Sequence, residues 1–179
     1  MKFIKTNITG AYVVVPKPIK DVRGKFTRFF CKKDFSEIGH SQEFVQFNHS
    51  VNNKRGTIRG LHFQRKPHEE IKLIYCISGS VFDVIVDLRK DSPTFLKWFG
   101  ISLSKENMKM IYIPAGCAHR FQSLEDNSEL LYYHTEFYFP SHEDGIDSFD
   151  KTVRVKWPLK NFIRSDRDKQ LPSVEKYFS

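Results

Sequence analysis

The sequence predicts a mainly β fold, an antiparallel sandwich or barrel of the jelly-roll kind. Short runs rich in β-branched and aromatic residues recur, turn residues separate them, and long helical periodicity is nearly absent. Many short, evenly spaced strands need a second layer to cover their apolar faces, which a sandwich or barrel supplies. Phe82, Val84, Val86 and Leu88 alternate with Val81, Asp83, Ile85 and Asp87 as in a strand. Met110 to Ile113 is a short apolar run stopped by Pro114. From Leu130 to Phe139 alternation predicts one strand, with Leu130, Tyr132, His134, Glu136 and Tyr138 on one face. Ser78-Gly79, Lys90-Asp91-Ser92-Pro93 and Pro114-Ala115-Gly116 read as turns. Asp34 to Gly39 reads as a short helix and Ser104 to Met108 as a helical turn. After Pro140 the chain is more polar, and short helices and loops packed against the barrel are expected. With 179 residues and no linker or repeat, residues 1–179 are expected to form one domain.

Bulk properties narrow the function. No run of about 18 apolar residues is present, so no membrane span or membrane partner is expected. The start, Met1 to Thr6, has no apolar stretch long enough for a signal peptide. Cys31, Cys76 and Cys117 are scattered and form no CxxC pair, which suits a reducing, cytoplasmic compartment. The formal charge is +8, and much of the excess lies after Asp150. There Lys151, Arg154, Lys156, Lys160, Arg164, Arg167, Lys169 and Lys176 outnumber Asp166, Asp168 and Glu175. Such a balance suits an anionic ligand or a plain solvated surface. No RNP-like motif, zinc-finger spacing or basic helix points to nucleic acid, which leaves a phosphorylated metabolite or, the commoner case on charge alone, a plain solvated surface.

The residues with the most chemistry are His62, in Arg59-Gly60-Leu61-His62-Phe63-Gln64, and Lys72, in Ile71-Lys72-Leu73-Ile74-Tyr75. A histidine takes and returns protons near neutral pH. A lysine among strand-type hydrophobes is costly unless its charge meets a partner or substrate. Together they can abstract a proton beside a carbonyl, the base taking the proton and the cation holding the enolate oxygen. A lone His62 reads first as a hydrogen-bonded core residue. Lys72, His119 and the potential proton donors Tyr132 and Tyr138 shift the balance toward catalysis.

Metal binding is the sharpest competitor. Pro114 to His119 matches the Pro-x-Gly-x-x-His pattern of cupin barrels, many of which bind metal. The usual His-x-His is absent because Gln64 stands two after His62, so no metal or cofactor is assigned. Cys117 falls on the face of His119 if the strand has begun, but a buried thiol is its commoner role. No P-loop or GxGxxG suggests ATP or NAD. A non-catalytic sugar-nucleotide binding barrel and a metal-dependent oxygenase remain the rival classes.

Taken in order, a set of motifs resembles the dTDP-4-dehydrorhamnose 3,5-epimerase family over almost the whole chain. It includes Asp21 to Phe26, Phe44 to Ser50, Ile58 to Gln64, Lys72-Leu73, Phe82-Asp83-Val84 and Val86 to Arg89. Asp91 to Phe95, Ile113 to Gly116, Ala118-His119, Leu131-Tyr132, Trp157-Pro158 and Ser165 to Asp168 complete it. The resemblance implies a cupin-type jelly-roll homodimer working without cofactor or metal on a nucleotide-diphospho-4-keto-6-deoxy sugar. It implies that His62 is the general base, Asp168 its acidic partner, Lys72 the enolate-holding cation and Tyr132 the acid on the opposite face. It places His119 and Tyr138 in the pocket. It places Arg23, Gln46, Asn48 and Arg59 on the nucleotide diphosphate, some across the dimer, and Phe26 among the substrate-binding residues. Strict alternation would put Arg59 on the opposite face from His62, which a bulge at Gly60 or a site shared between subunits would resolve.

The chain departs from the family pattern at four places. Arg28 replaces a glutamate of the nucleotide pocket, and Phe47 an aspartate. Arg120 replaces a glycine after His119, adding bulk and charge beside the expected pocket, and Ser148-Phe149-Asp150 replaces a Trp-Asn-Asp-like run. These departures leave open inversion at C3 alone, or a different nucleotide sugar such as a GDP-linked heptose.

Overall fold

The computed structural model describes residues 1–179. Strands β1 (Lys2–Lys5), β2 (Tyr12–Val15), β3 (Ile19–Asp21) and β4 (Gly24–Phe26) precede helix α1 (Lys32–Phe35) and a 3₁₀ turn over Ser36–Ile38. Next come β5 (Gln46–Asn52), β6 (Ile58–Gln64), β7 (Lys72–Ser78), β8 (Ser80–Asp87) and β9 (Trp98–Ser104). Then β10 (Met110–Ile113), β11 (Cys117–Ser123), β12 (Ser128–His134) and β13 (Glu143–Gly145) lead to α2 (Asp166–Lys169) and α3 (Val174–Phe178). One sheet has the order β1-β2-β10-β7-β12-β5 and the other β13-β6-β11-β8-β9, all pairs antiparallel. This is the jelly-roll sandwich that the strand pattern predicts. No helix is long and apolar enough to cross a membrane.

The core lies between the sheets. Ile74, Cys76 and Ile111 of one sheet meet Val81, Ile85, Leu103 and Phe121 of the other, all fully buried. Each such aliphatic or aromatic side chain contributes about 2 kcal/mol by leaving water. The outer faces of the central strands are covered too. Phe35 of α1 packs on Val14, Leu73 and Met110, while Ile146, Val153 and Val174 pack on Leu61, Val84 and Ala118. Strands buried on both faces carry continuous rather than alternating apolar runs, as Val84-Ile85-Val86 does. The turn expected at Lys90–Pro93 is tied down by Asp87. Its carboxylate accepts from Arg89 Nε at 2.8 Å, Ser92 Oγ at 2.6 Å and Thr94 Oγ1 at 2.6 Å.

Two elements differ from the sequence reading. The strand expected to run from Leu130 to Phe139 ends at His134. Past it the Gln64 amide captures the chain, donating to the Phe137 carbonyl at 3.0 Å and accepting from Phe139 N–H at 2.6 Å. Those bonds draw the segment across to the second sheet, so Tyr132 and Tyr138 do not share a strand. The second difference is β13, a short strand in the region read as loop, paired with β6 through Gly145↔His62.

Strand β6 is bulged. His119 of β11 faces His62 and Arg120 faces Gly60, so Leu61 is the extra residue. Gly60 has φ +102°, and a Cβ there would lie 2.5 Å from the His119 carbonyl oxygen. Gly60→Ala is therefore expected to cost roughly 2–3 kcal/mol, read from the urea midpoint. A wild-type midpoint would show that the bulge accepts a side chain.

Candidate active site

A cavity of about 620 Å³ opens between the two sheets. The bulge decides what it contains. By skipping one residue of alternation it turns both Arg59 and His62 to this cavity. The C-terminal segment is fixed alongside, because Ile58 N–H donates to Ile163 O and Ile163 N–H to Gly56 O, both at 2.9 Å. That pairing delivers Arg164, Ser165, Arg167 and Asp168 to the same wall. Ser165 caps α2 by accepting from Asp168 N–H at 3.2 Å.

Asp168, buried, holds His62. Its Oδ1 lies 2.8 Å from His62 Nε2, and its Oδ2 accepts Gly60 N–H at 3.2 Å. Burial raises the Asp168 pKa, but the hydrogen bond and charge of His62 outweigh it, and the carboxyl sits below the usual aspartate value. An ionised carboxylate only accepts, so Nε2 carries the hydrogen and Nδ1 is the free base. Glu143 Oε1 lies 3.9 Å from that Nδ1. Glu143 is itself engaged by Tyr138 Oη at 2.5 Å and Arg167 Nη2 at 2.7 Å.

The opposite wall comes from the other sheet. Lys72 of β7 is buried with its Nζ 3.0 Å from Glu70 Oε1. Glu70 Oε2 takes a 2.6 Å bond from His134 Nδ1, whose Nε2 accepts from Asn48 Nδ2 at 3.3 Å. Burial pushes Glu70 up, but Lys72 and His134 hold it below the usual glutamate value. Tyr132 of β12 packs between His119 and His134, at ring separations of 5.9 and 6.1 Å. Burial, reinforced by Asp83, drives its phenol pKa upward, so it stays a proton donor at neutral pH. His119 Nε2 pairs with Asp83 Oδ2 at 2.8 Å, and burial raises that carboxyl. The cavity thus sets a carboxylate-backed base on one wall against a neutral phenol and a cation on the other. That is an arrangement for moving protons on both faces of a bound carbon acid.

The dTDP-4-dehydrorhamnose 3,5-epimerase family model matches residues 5–176. The chain belongs to this family. It is a carbohydrate epimerase, an isomerase. It is 46% identical to the dTDP-4-dehydrorhamnose 3,5-epimerase of Shigella flexneri, over 94% of this chain and 93% of the relative. A Bacillus anthracis dTDP-4-dehydrorhamnose 3,5-epimerase, solved with TDP and PPi bound, superposes with TM-score 0.93 at 42% identity, covering 97% and 99% of the two chains. A Legionella pneumophila dTDP-6-deoxy-D-glucose-3,5-epimerase, solved with dTDP-4-keto-L-rhamnose, superposes with TM-score 0.92 at 36% identity, covering 97% and 93%.

Of the residues the epimerase resemblance selects, His62, Asp168, Lys72, Tyr132, Gln46, Asn48, Arg59, His119 and Tyr138 all line this cavity. Arg23, Phe26 and Arg28 do not. They are exposed on or just after the β3–β4 hairpin, where Arg23 pairs with Asp21. Arg120 does not either. Alternation turns it to the outer face of β11, where it is fully buried against Trp157, 5.6 Å from the ring. Cys117 is a core thiol, its pKa pushed up to about 12 by burial. Gln64, at the position of a missing cupin ligand, spends its amide on three backbone bonds.

Sequence reasoning missed Glu70, His134, Glu143, Arg164, Ser165 and Arg167. Signals were available for some: His134 shares a predicted face with Tyr132, Arg164 and Arg167 belong to the basic C-terminal excess, and Ser165-x-x-Asp168 is a capping pattern that marks a helix start holding the acid.

Asp168→Asn is expected to slow turnover about 100-fold, because the base loses its orienting charge. Asp168 sits lower in the folded than the unfolded chain, so it stabilises the fold above the ordinary aspartate value and loses that as pH falls below about 4. The stability gap between wild type and variant should therefore close on acidification. A gap that widened would contradict this pairing.

Proposed function

We propose that this epimerase acts on dTDP-4-keto-6-deoxyglucose, inverting C3 and C5 to give dTDP-4-keto-rhamnose. The observation that carries the reading is the placement of His62 and Tyr132 on opposite sheets facing one cavity. The C4 ketone acidifies the hydrogens at C3 and C5. His62 Nδ1 takes one as a proton, and the imidazolium is balanced by Asp168. The C–H electron pair becomes the enolate double bond, and the charge moves to O4, where Lys72 holds it. Tyr132 then delivers its proton to the opposite face of the carbon, which inverts the centre. Returning the His62 proton to the Tyr132 phenolate, through solvent, resets the site for the second centre. The diphosphate is held by Arg59, Arg164 and Arg167 at the cavity wall, where guanidinium forks match phosphate oxygens.

We further propose that residues 1–179 work as one epimerase domain, since the family match spans nearly all of them. The chain is read as a homodimer. The β3–β4 hairpin presents Ile19, Val22 and Phe26 to solvent beside Arg23, a surface suited to a partner subunit's nucleotide site. The free thiols Cys31, Cys76 and Cys117 suit action in the cytoplasm.

The test is proton exchange in heavy water with dTDP-4-keto-6-deoxyglucose, followed by NMR at C3 and C5. Wild type should place deuterium at both. His62→Ala should abolish exchange while remaining folded, and Tyr132→Phe should keep exchange but lose inversion. Deuterium at C3 alone would make the chain a single-centre epimerase. Undiminished turnover in folded His62→Ala would sink the mechanism.

A further inference from the structure

Arg120 is fully buried, and none of its three guanidinium nitrogens has a hydrogen-bond partner. Burial pulls its pKa down to about 9, so it remains charged at neutral pH. An unbonded buried cation is costly, and its position indicates what it acts on. It stands opposite Gly60 in the β6–β11 ladder, and Gly60 N–H donates to Asp168, the carboxylate that holds His62.

His62 is faced by two carboxylates, Asp168 of α2 at 2.8 Å and Glu143 of β13 at 3.9 Å. Both place negative charge beside the ring, whereas a general base must be neutral to take a proton. Glu143 is offset by Arg167 at 2.7 Å, but the only ion pair of Asp168 is with His62 itself. Of the other charged groups nearby, Arg59 faces the same cavity and donates to the neutral Asn52 side chain at 2.8 Å, while the rest are paired. His119, opposite His62 on β11, is bound to Asp83, and Arg164 and Asp147, which face Arg120, are bound to each other at 2.9 Å.

We propose that Arg120 is a positioning residue for proton abstraction. Its buried charge balances Asp168 from behind the sheet, as Arg167 balances Glu143 beside it, and leaves His62 free to take the substrate proton. The inference rests on His62 being the base.

The experiment is the pH profile of kcat/KM for wild type, Arg120→Met, Arg120→Gln and Arg120→Lys, with melting curves and His62→Ala as control. In the Met and Gln variants the acid limb should move up by about half to one pH unit, so that activity falls several-fold at pH 6 and much less at pH 8. Arg120→Lys should restore the wild-type limb. A purely structural arginine would lower the melting temperature and scale the rate equally at every pH. An unmoved limb in a folded Met or Gln variant overturns the proposal, and so does failure of both to fold, which would make Arg120 a packing residue. Activity surviving in His62→Ala would instead defeat the base assignment, whatever the limb does.

Discussion

Strand β6 carries one residue more than β11 opposite it, and the site depends on that mismatch. In a regular ladder Arg59 and His62 would point to opposite faces. The extra residue at Leu61 puts both on the cavity side while Leu61 itself enters the outer core. Gly60 permits it, since its positive φ and close approach to the His119 carbonyl exclude a side chain. Its freed N–H is the donor that fixes Asp168. A single backbone irregularity thus sets the distance between Arg59 and His62, and anchors the carboxylate that holds His62.

Most of the other charges in the cavity have a partner. Asp168 holds His62, Asp83 holds His119, Glu70 joins Lys72 and His134, and Glu143 joins Arg167. Breaking one such buried pair leaves an uncompensated charge, which is why these groups hold one another in place. Tyr132 is the exception. Its phenol is neutral, and burial reinforced by Asp83 outweighs the pull of Arg59 and keeps it protonated. One fold thereby holds a usable base and a usable acid at the same pH. Both sit on strands packed between layers of core, so their geometry is set before substrate arrives.

Much of this was legible in the sequence, for identifiable reasons. The β-rich runs at Phe82–Leu88 and Met110–Ile113 fall on β8, which ends at Asp87, and on β10, because strands covered on both faces are largely apolar. The bulge at Gly60 was readable as a conflict between alternation and the need for Arg59 beside His62. What was not legible came from contacts distant in sequence. Alternation continues through Tyr138, but the Gln64 side chain takes over the backbone bonds after His134. Glu70 and Glu143 lie outside any periodic run or just at its edge, and their partners come from other elements. Arg120 was a different kind of miss. Placing it in the pocket gave charge more weight than the alternation that turns it away from His119.

The most direct measurement is a crystal structure of the protein with dTDP. Arg59 should engage the diphosphate from the same cavity in which His62 remains bonded to Asp168, with Leu61 bulged out of register. A regular β6 with Arg59 turned away from the nucleotide, or a His62 ring released from Asp168, would contradict the central role of the bulge.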